Sequence, residues 1–334
     1  MAASNTEVWQ TGTVVEAEAV TAETRRLVLS QSLPKKAEPG SHIDVMVTID
    51  GERHKRSYSV VDCSEDGRLV AISVYRAPQS RGGSVFMQSL EVGDQLEITQ
   101  PLQNFPLRVG APRYVLLAGG IGITAMVNMA RVLRNIKADY TLVYAGRSRS
   151  AMAYLPQLEA LHGDALRVHV DDEGTALKVD ALLDGVGPET ELYMCGPIRL
   201  MDAVKRGWVA RGLSLPNLRY ETFGNSGWFD PEEFVVRVPR LGVETTVGPG
   251  ESMLEALEGA GVDMMFDCRK GECGLCEVRL LGLQGSVDHR DVFYSERQQH
   301  AAAKMCCCVS RAVSSATGAR ADTTGERAVV TIDV

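Results

Sequence analysis

From residue 8 to about 105 the apolar positions alternate with polar ones. Val14 to Ala19, Thr24 to Ser30, His42 to Ile49, Arg56 to Val61, Leu69 to Tyr75 and Gln95 to Gln100 read as short strands, parted by turn residues such as Asp50-Gly51 and Asp66-Gly67. Strands at that spacing predict an antiparallel β-barrel. At Tyr114 the pattern changes. The apolar run Tyr114 to Ala118 leads into a glycine loop and then a helical stretch to about Asn135. Strands are predicted at Tyr140 to Tyr144, Leu166 to Val170 and Glu191 to Met194. Helices are predicted on the stripe Met152, Leu155, Leu158 and Leu161, near Asp180 to Leu183, and from Ile198 to Arg211. Strand–helix alternation of this kind predicts an α/β domain with a parallel sheet. Gly224-Asn225-Ser226-Gly227 breaks the pattern as a linker. Beyond it, Phe234 to Val238 and Val243 to Val247 read as a hairpin. Ser252 to Ala260 reads as a helix opened by a capping box of Ser252 and Glu255. Val313 to Glu326 is polar and rich in small residues, a loop before a last strand at Ala328 to Val334.

Composition narrows the picture. The 334 residues leave room for two or three domains, and the apolar fraction of 45% is that of a folded protein. A net charge of −8, with no basic run interleaved with aromatics, argues against a nucleic-acid partner. Met1 to Glu7 has neither a basic nor an apolar region of the kind a signal peptide needs. The longest apolar run, Tyr114 to Ala130, is broken by Gly119, Gly120, Gly122 and Asn128, so no membrane span is expected. Eight cysteines without a secretory signal point to a reducing, cytoplasmic compartment and to metal rather than disulfides.

The cysteines carry the sharpest signal. Cys268, Cys273 and Cys276 stand in the spacing C-x4-C-x2-C, with Cys306, Cys307 and Cys308 about thirty residues on. That is the frame of a plant-type [2Fe–2S] cluster, which moves single electrons. Gly271 and Gly274 suit a loop that must wrap an anionic cluster with its N–H groups turned inward. Zinc sites usually bring two C-x2-4-C or Cys/His pairs, and no second pair at that spacing stands here. If the distant segment is extended, Cys306 and Cys308 face one side and Cys307 the other.

Gly120-Ile121-Gly122-Ile123-Thr124-Ala125 fits G-x-G-x-x-A between a strand and a helix, where backbone N–H groups can meet a pyrophosphate. No acidic residue ends the second strand, where Tyr144-Ala145-Gly146-Arg147 stands, so the usual Rossmann dehydrogenase arrangement is not expected. In the β-rich segment, Arg56-Ser57-Tyr58-Ser59 and Arg81-Gly82-Gly83-Ser84 offer a guanidinium, exposed N–H groups and a hydroxyl for a phosphate. Taken alone these short motifs read slightly more readily as an exposed turn with a surface tyrosine, the other reading laying Tyr58 against a flavin ring. Cys63 reads as a small buried side chain. His42, His54, His162, His169, His289 and His300 form no ligand pair and read as surface or structural groups; a Rieske cluster would need two ligating histidines.

Together these motifs resemble the phthalate dioxygenase reductase family, flavin and iron–sulfur reductases that feed Rieske oxygenases. The resemblance covers nearly the whole chain. Arg56-Ser57-Tyr58-Ser59 is similar to the family's R-x-Y-S flavin motif and Arg81-Gly82-Gly83-Ser84 to its FMN-phosphate turn. Gly119-Gly120-Ile121-Gly122-Ile123-Thr124 resembles its nicotinamide-nucleotide loop, and Cys195-Gly196-Pro197 its second nucleotide motif. Glu221-Thr222-Phe223 resembles the E-x-F that closes the nicotinamide domain, its ring near the flavin. Cys308-Val309-Ser310-Arg311 resembles the terminal ligand segment and so selects Cys308 as fourth ligand. Ala125 and Gln103 depart from the family pattern, and the loop after Val313 is longer than usual.

The resemblance implies an FMN-binding β-barrel at 1–107, an NAD-binding α/β domain at 108–225, a linker at 226–233 and a plant-type ferredoxin domain of β-grasp, α+β type at 234–334. It implies a monomeric reductase passing electrons from NADH through FMN and [2Fe–2S] to the Rieske centre of a terminal oxygenase, an aromatic-ring dioxygenase or an O-demethylase, in aromatic degradation. Phe223 and Cys195 would flank hydride transfer, although Cys195 also reads as a packed core thiol. Arg147 would lie near the nucleotide, and with Arg149 could hold a 2′-phosphate. Two other classes are expected to be distinguishable: an electron donor to another acceptor such as a P450, and a redox-sensing binding protein. The second would need a DNA- or protein-binding module, and none is visible.

Overall fold

The computed structural model describes residues 7–49, 51–78, 80, 82–223, 231–314 and 327–334. Arg81, residues 226–230 of the expected linker and all but the first two residues of the 313–326 loop lie outside the described residues. The chain divides into two compact units, one of residues 1–196 and 203–221, the other of 197–202 and 222–334.

The first unit opens with β1 (Trp9–Ala19), β2 (Thr24–Gln31), β3 (Ser41–Ile49), β4 (Glu52–Cys63), β5 (Leu69–Tyr75), the helix α1 (Gly83–Ser89), β6 (Gln95–Thr99) and the short β7 (Leu102–Gln103). Sheet order is β4-β5-β2-β1-β6-β3-β7, and β3 also pairs with β4. That extra pairing closes six strands into an antiparallel barrel. Alternate residues fill it: Leu27 and Leu29 on β2, Ile43, Val45 and Val47 on β3, Ile72 and Val74 on β5, Leu96 and Ile98 on β6. The β3–β4 hairpin is longer than its sequence pattern predicts. Its register runs from Ile49 opposite Glu52 to His42 opposite Ser59, across a tight turn where Gly51 takes a positive φ of 87°.

A parallel sheet follows, its five strands all in the same unit: β8 (Arg113–Gly119), α2 (Ile123–Asn135), β9 (Tyr140–Gly146), α3 (Leu155–His162), β10 (Leu166–Val170), α4 (Val179–Asp184), β11 (Thr190–Cys195), α5 (Ile198–Ala210) and β12 (Leu218–Glu221). Strand order is β10-β9-β8-β11-β12. The order reverses between β8 and β11, and in open α/β sheets a ligand crevice lies beyond the strand C-termini at such a point. Helix α2 packs on barrel strand β4. Arg131 on α2 pairs with Asp62 at 2.7 Å, and Asn128 Nδ2 donates to the Val60 carbonyl at 3.1 Å.

The second unit contains β13 (Phe234–Val238), β14 (Val243–Val247), α6 (Met253–Gly259), β15 (Glu277–Gln284), β16 (Ser286–Asp288), α7 (Glu296–Ala301), β17 (Lys304–Cys306), β18 (Arg311–Val313) and β19 (Ala328–Asp333). Its main sheet runs β14-β13-β19-β15-β17, with β19 parallel to β13 and antiparallel to β15; β16 and β18 form a separate ribbon. Helix α6 buries Met253, Leu254 and Leu257 against Phe234, Val236, Val330 and Ile332. The capping box forms as read: Glu255 N donates to Ser252 Oγ at 3.2 Å and Ser252 N to Glu255 Oε2 at 2.7 Å.

Candidate redox sites

The two barrel motifs meet in space. Arg56 and Tyr58 share the inner-face parity of Ile43 and Val45 across the hairpin. Tyr58 packs against the barrel core in mid-strand, so it is not the tyrosine of an exposed turn. Burial pushes its phenol far up, with the Arg56 charge pulling the other way. Gly82, at φ 84°, caps α1. A Cβ on Gly83 would stand 3.0 Å from Arg56 Nε, so the guanidinium stem lies against the first turn of the helix. Ser84 Oγ donates to Ser80 Oγ at 2.8 Å and accepts from Ala77 N at 3.3 Å. First-turn N–H groups have no intrahelical acceptor. With the guanidinium beside them, they fit a phosphate.

Asp44 escaped the sequence reading; His42, read as a surface or structural group, is of the second kind. They lie on the outer face of β3, yet each is only 3% exposed. Asp44 accepts from Ser57 Oγ, and Lys55 Nζ stands 3.3 Å and His42 Nε2 3.7 Å from its carboxylate. The available signal was a histidine and an aspartate alternating with inward Ile43, Val45 and Val47. On the same outer face Ser59 Oγ donates to Glu221 Oε2 at 3.4 Å.

In the parallel sheet, the loop after β8 and the loop after β11 interlock at the crevice. A Cβ on Gly122 would fall 2.2 Å from the Cys195 carbonyl oxygen; one on Gly196 would fall 3.0 Å from the Gly119 backbone. Only glycine lets these turns touch, and Gly120 adds a positive φ of 54°. Thr124 Oγ1 donates to the Ile121 carbonyl at 2.9 Å. Pro197 opens α5, its carbonyl accepting from Leu200 N at 2.9 Å. Cys195 is buried at the end of β11. Arg147 is exposed just past β9, its carbonyl accepting from Asp172 N at 3.0 Å. Arg149 is held by Glu173 at 2.7 Å and Glu159 at 3.1 Å.

Glu221 ends β12 in the first unit, whereas Thr222 and Phe223 belong to the compact unit of the cysteine loop. In that loop Cys268 Sγ faces the N–H groups of Lys270, Glu272 and Cys273, each at 3.4 Å. Gly271 (φ 74°) and Gly274 (φ 76°) turn the loop. A Cβ on Gly271 would meet Asp291 Cα at 2.9 Å, and one on Gly274 the Phe293 ring at 2.3 Å. Three N–H groups aimed at one sulfur are the donor set that an anionic iron–sulfur cluster requires, so this loop fits the cluster.

The triple cysteine is not extended. Strand β17 ends at Cys306, and a turn follows in which the Cys306 carbonyl accepts from Val309 N at 3.3 Å and Ser310 N at 3.0 Å. The strand alternation that separates Cys307 from its neighbours therefore does not apply. Cys307 N bonds the Cys276 carbonyl at 3.1 Å, which holds the turn beside the loop. The thiols of Cys306, Cys307 and Cys308 together pull Cys276 far below the ordinary thiol range, and theirs are pushed up in return. The Gly271 N–H opposes that rise at Cys308. Cys306 and Cys307 are fully enclosed, while Cys308 retains 6% exposure. Among the described residues no three Cys, His, Asp or Glu side chains converge as a single-ion site would need; a two-iron cluster instead takes its thiolates in two pairs.

Behind this site lies a second cluster the sequence reading missed. Asp288, His289, Arg290, Asp291 and Ser310 are all buried. Arg290 pairs with Asp288 at 2.7 Å. Burial alone would raise the Asp291 carboxyl; bonds from His289, Tyr294 N and Ser310 overcome this and hold it below the ordinary range. Tyr294 donates to Glu277 Oε2 at 2.7 Å, and burial together with that acceptor drives its phenol up. No described helix is long and apolar enough to cross a membrane.

A closed barrel with a phosphate cradle, a nucleotide crevice at a switch point and a thiolate loop define a pyridine-nucleotide oxidoreductase with a flavin and an iron–sulfur cluster. The comparisons agree. The model for the oxidoreductase FAD-binding domain matches residues 11–106, that for the oxidoreductase NAD-binding domain 116–206, and that for the 2Fe-2S iron-sulfur cluster binding domain 236–313. The chain is 33% identical over 274 residues to the carnitine monooxygenase reductase subunit of Acinetobacter pittii, covering 82% of this chain and 88% of that protein. It superposes on phthalate dioxygenase reductase, a modular structure for electron transfer from pyridine nucleotides to [2Fe–2S], with TM-score 0.71 and 27% identity over 98% of both chains. It is also similar to part of an intact self-sufficient cytochrome P450 monooxygenase: TM-score 0.64 and 32% identity, covering 97% of this chain and 41% of that one. The chain belongs to the phthalate dioxygenase reductase family and is an NADH-dependent flavin and iron–sulfur oxidoreductase.

Proposed function

We propose that this chain takes electrons from NADH through FMN and a [2Fe–2S] cluster and delivers them to the Rieske centre of a separate terminal oxygenase, an aromatic-ring dioxygenase or an O-demethylase. Bound flavin supplies the conversion of a two-electron hydride donor to single-electron outlets, and the cluster supplies the outlet. The observation that carries the reading is the presence on one chain of the interlocked Gly122–Cys195 crevice and the N–H-lined loop at Cys268.

The protein's part is placement. In this reading residues 1–107, 108–225 and 234–334 are the flavin, nucleotide and cluster domains, joined by 226–233. Arg56, Gly82, Gly83 and Ser84, with Arg81, hold the flavin phosphate; Ser57, Tyr58 and Ser59 line its ring. Gly119, Gly120, Gly122, Thr124, Gly196 and Pro197 receive the pyridine nucleotide, with Arg147 at its adenosine end. Cys195 and Phe223 flank hydride transfer. Cys268, Cys273, Cys276 and Cys308 ligate the cluster. The family's C-V-S-R segment and the residual exposure of Cys308 support the fourth choice. FMN rather than FAD is favoured by the Arg56–Gly83 cradle, which suits a terminal monophosphate. The protein works as a monomer in the cytoplasm, where its thiols stay reduced.

The similarity to a self-sufficient P450 chain favours a second acceptor, a haem. The test is anaerobic mixing of the NADH-reduced protein with a purified Rieske oxygenase or a P450. Rapid bleaching of the Rieske absorption supports the proposal. Haem reduction with no Rieske reduction transfers it to the second reading.

A further inference from the structure

Asp291 is fully buried and its side chain makes three hydrogen bonds. His289 Nδ1 lies 3.2 Å from Oδ1, Ser310 Oγ donates to Oδ1 at 3.0 Å, and Tyr294 N donates to Oδ2 at 3.0 Å. The Asp291 backbone lies against the cysteine loop: its Cα is 2.9 Å from where a Gly271 Cβ would be, and the next residue, Val292, donates its N–H to the Gly271 carbonyl at 3.0 Å. Thus one residue meets both halves of the thiolate frame. Its main chain abuts the loop that carries Cys268, Cys273 and Cys276. Its side chain holds Ser310, two positions after Cys308.

This matters because three adjacent cysteines offer three thiolates. The backbone bond from Cys307 N to the Cys276 carbonyl fixes the turn beside the loop without choosing which of the three thiols completes the frame. Ser310 ends that turn. Its N–H bonds the Cys306 carbonyl at 3.0 Å, and its hydroxyl also accepts from Arg290 N at 3.2 Å. Fixing Ser310 fixes how far the turn is wound, and hence which sulfur is presented to the loop. A carboxylate enclosed in protein holds such a donor within a narrow range, since moving away would leave a buried charge short of a partner.

We propose that Asp291 is a positioning residue of the cluster site, acting through Ser310 to set the winding of the 306–310 turn so that Cys308 rather than Cys306 or Cys307 completes the thiolate frame. This rests on the assignment of Cys308 above. Outer partners of this kind typically change metal retention by roughly ten- to a hundredfold when removed.

The test compares Asp291→Asn, Ser310→Ala, Ser310→Thr and Cys308→Ser as reconstituted full-length proteins, by EPR of the dithionite-reduced cluster and by the rate of iron loss to a chelator. Asp291→Asn and Ser310→Ala are expected to keep parental far-UV circular dichroism and flavin content. They should show altered or mixed g-values and iron loss roughly ten- to a hundredfold faster. Ser310→Thr, which retains the hydroxyl, should restore the parental signal. Should Asp291→Asn fail to fold, the Ser310 pair decides alone. Parental g-values and iron retention in Ser310→Ala and in any folded Asp291→Asn overturn the positioning role. A parental cluster in Cys308→Ser instead overturns the ligand assignment, whatever the other variants do.

Discussion

Thr222 donates its hydroxyl to the carbonyl of Lys270 at 2.8 Å, and its backbone N–H bonds Glu272 Oε1 at 2.8 Å. The residue before Phe223 is thereby fastened to the stretch between the first two cluster cysteines. Thr222→Val keeps the backbone bond and the shape but removes the hydroxyl. A loss of about 1 kcal/mol of stability is expected in the cluster unit. Stopped-flow reduction of the flavin by NADH should continue at the parental rate while cytochrome c reduction slows. Equal slowing of both, or of neither, would count against a role for this tether in onward transfer.

Arg56→Ala should weaken flavin binding by about tenfold or more, since it removes a charged donor from the proposed phosphate cradle. Arg56→Lys should restore it only in part, because an ammonium lacks the planar fork. Isothermal titration of the apoprotein with FMN reads this directly. Equal affinity in Arg56→Ala would move the phosphate elsewhere, and recovery of FAD from the purified protein would refute the choice of FMN.

Gly122→Ala should be severe. The added methyl would arrive 2.2 Å from the Cys195 carbonyl oxygen, a backbone atom with no room to retreat. Overpacking of this kind costs about 1–3 kcal/mol. The melting temperature should fall and the KM for NADH should rise, with the cluster EPR signal unaltered. An unchanged KM would mean that the loop does not receive the nucleotide.

Glu159→Gln with Glu173→Gln should improve the use of NADPH. Arg149 stands beyond β9, near where a 2′-phosphate would be read, but both carboxylates hold it. Exposed ion pairs are individually weak. The larger effect is removal of two negative charges from the approach of a phosphate dianion. kcat/KM for NADPH should rise relative to NADH; a ratio equal to the parent's would exclude Arg149 from selectivity.

The barrel, the parallel sheet and the cysteine loop were legible because each rests on local regularity. Alternating Ile43, Val45 and Val47, the strand–glycine–helix sequence at Gly120, and the spacing of Cys268, Cys273 and Cys276 are written in consecutive residues. Strand β15 was not legible: its burial is irregular, and its partners β17 and β19 lie far along the chain. Helix α1, seven residues from Gly83 to Ser89, went unread because only its start, Gly83-Ser84, fell inside a motif, and that motif was read as a turn. The triple cysteine misled for a physical reason. Three identical side chains carry no periodicity, so nothing in them distinguishes a strand from the turn that forms. Asp44 was invisible because its partners Ser57 and Lys55 come from the next strand, and Asp291 because its burial and its bond from Ser310, nineteen residues on, leave no mark on the residues beside it.

The position of β19 has a consequence for how the molecule is made. It lies between β13 and β15, at the centre of the main sheet of the cluster-bearing unit. Until residues 328–333 have left the ribosome, β13 and β15 have no common neighbour and that sheet is two fragments. The barrel and the nucleotide sheet, whose strands are complete by Glu221, can close long before. Domains generally fold in the order of their synthesis. The flavoprotein half is therefore ready to take its cofactor during translation, whereas iron delivery has to wait until β19 has been made and has joined the two fragments.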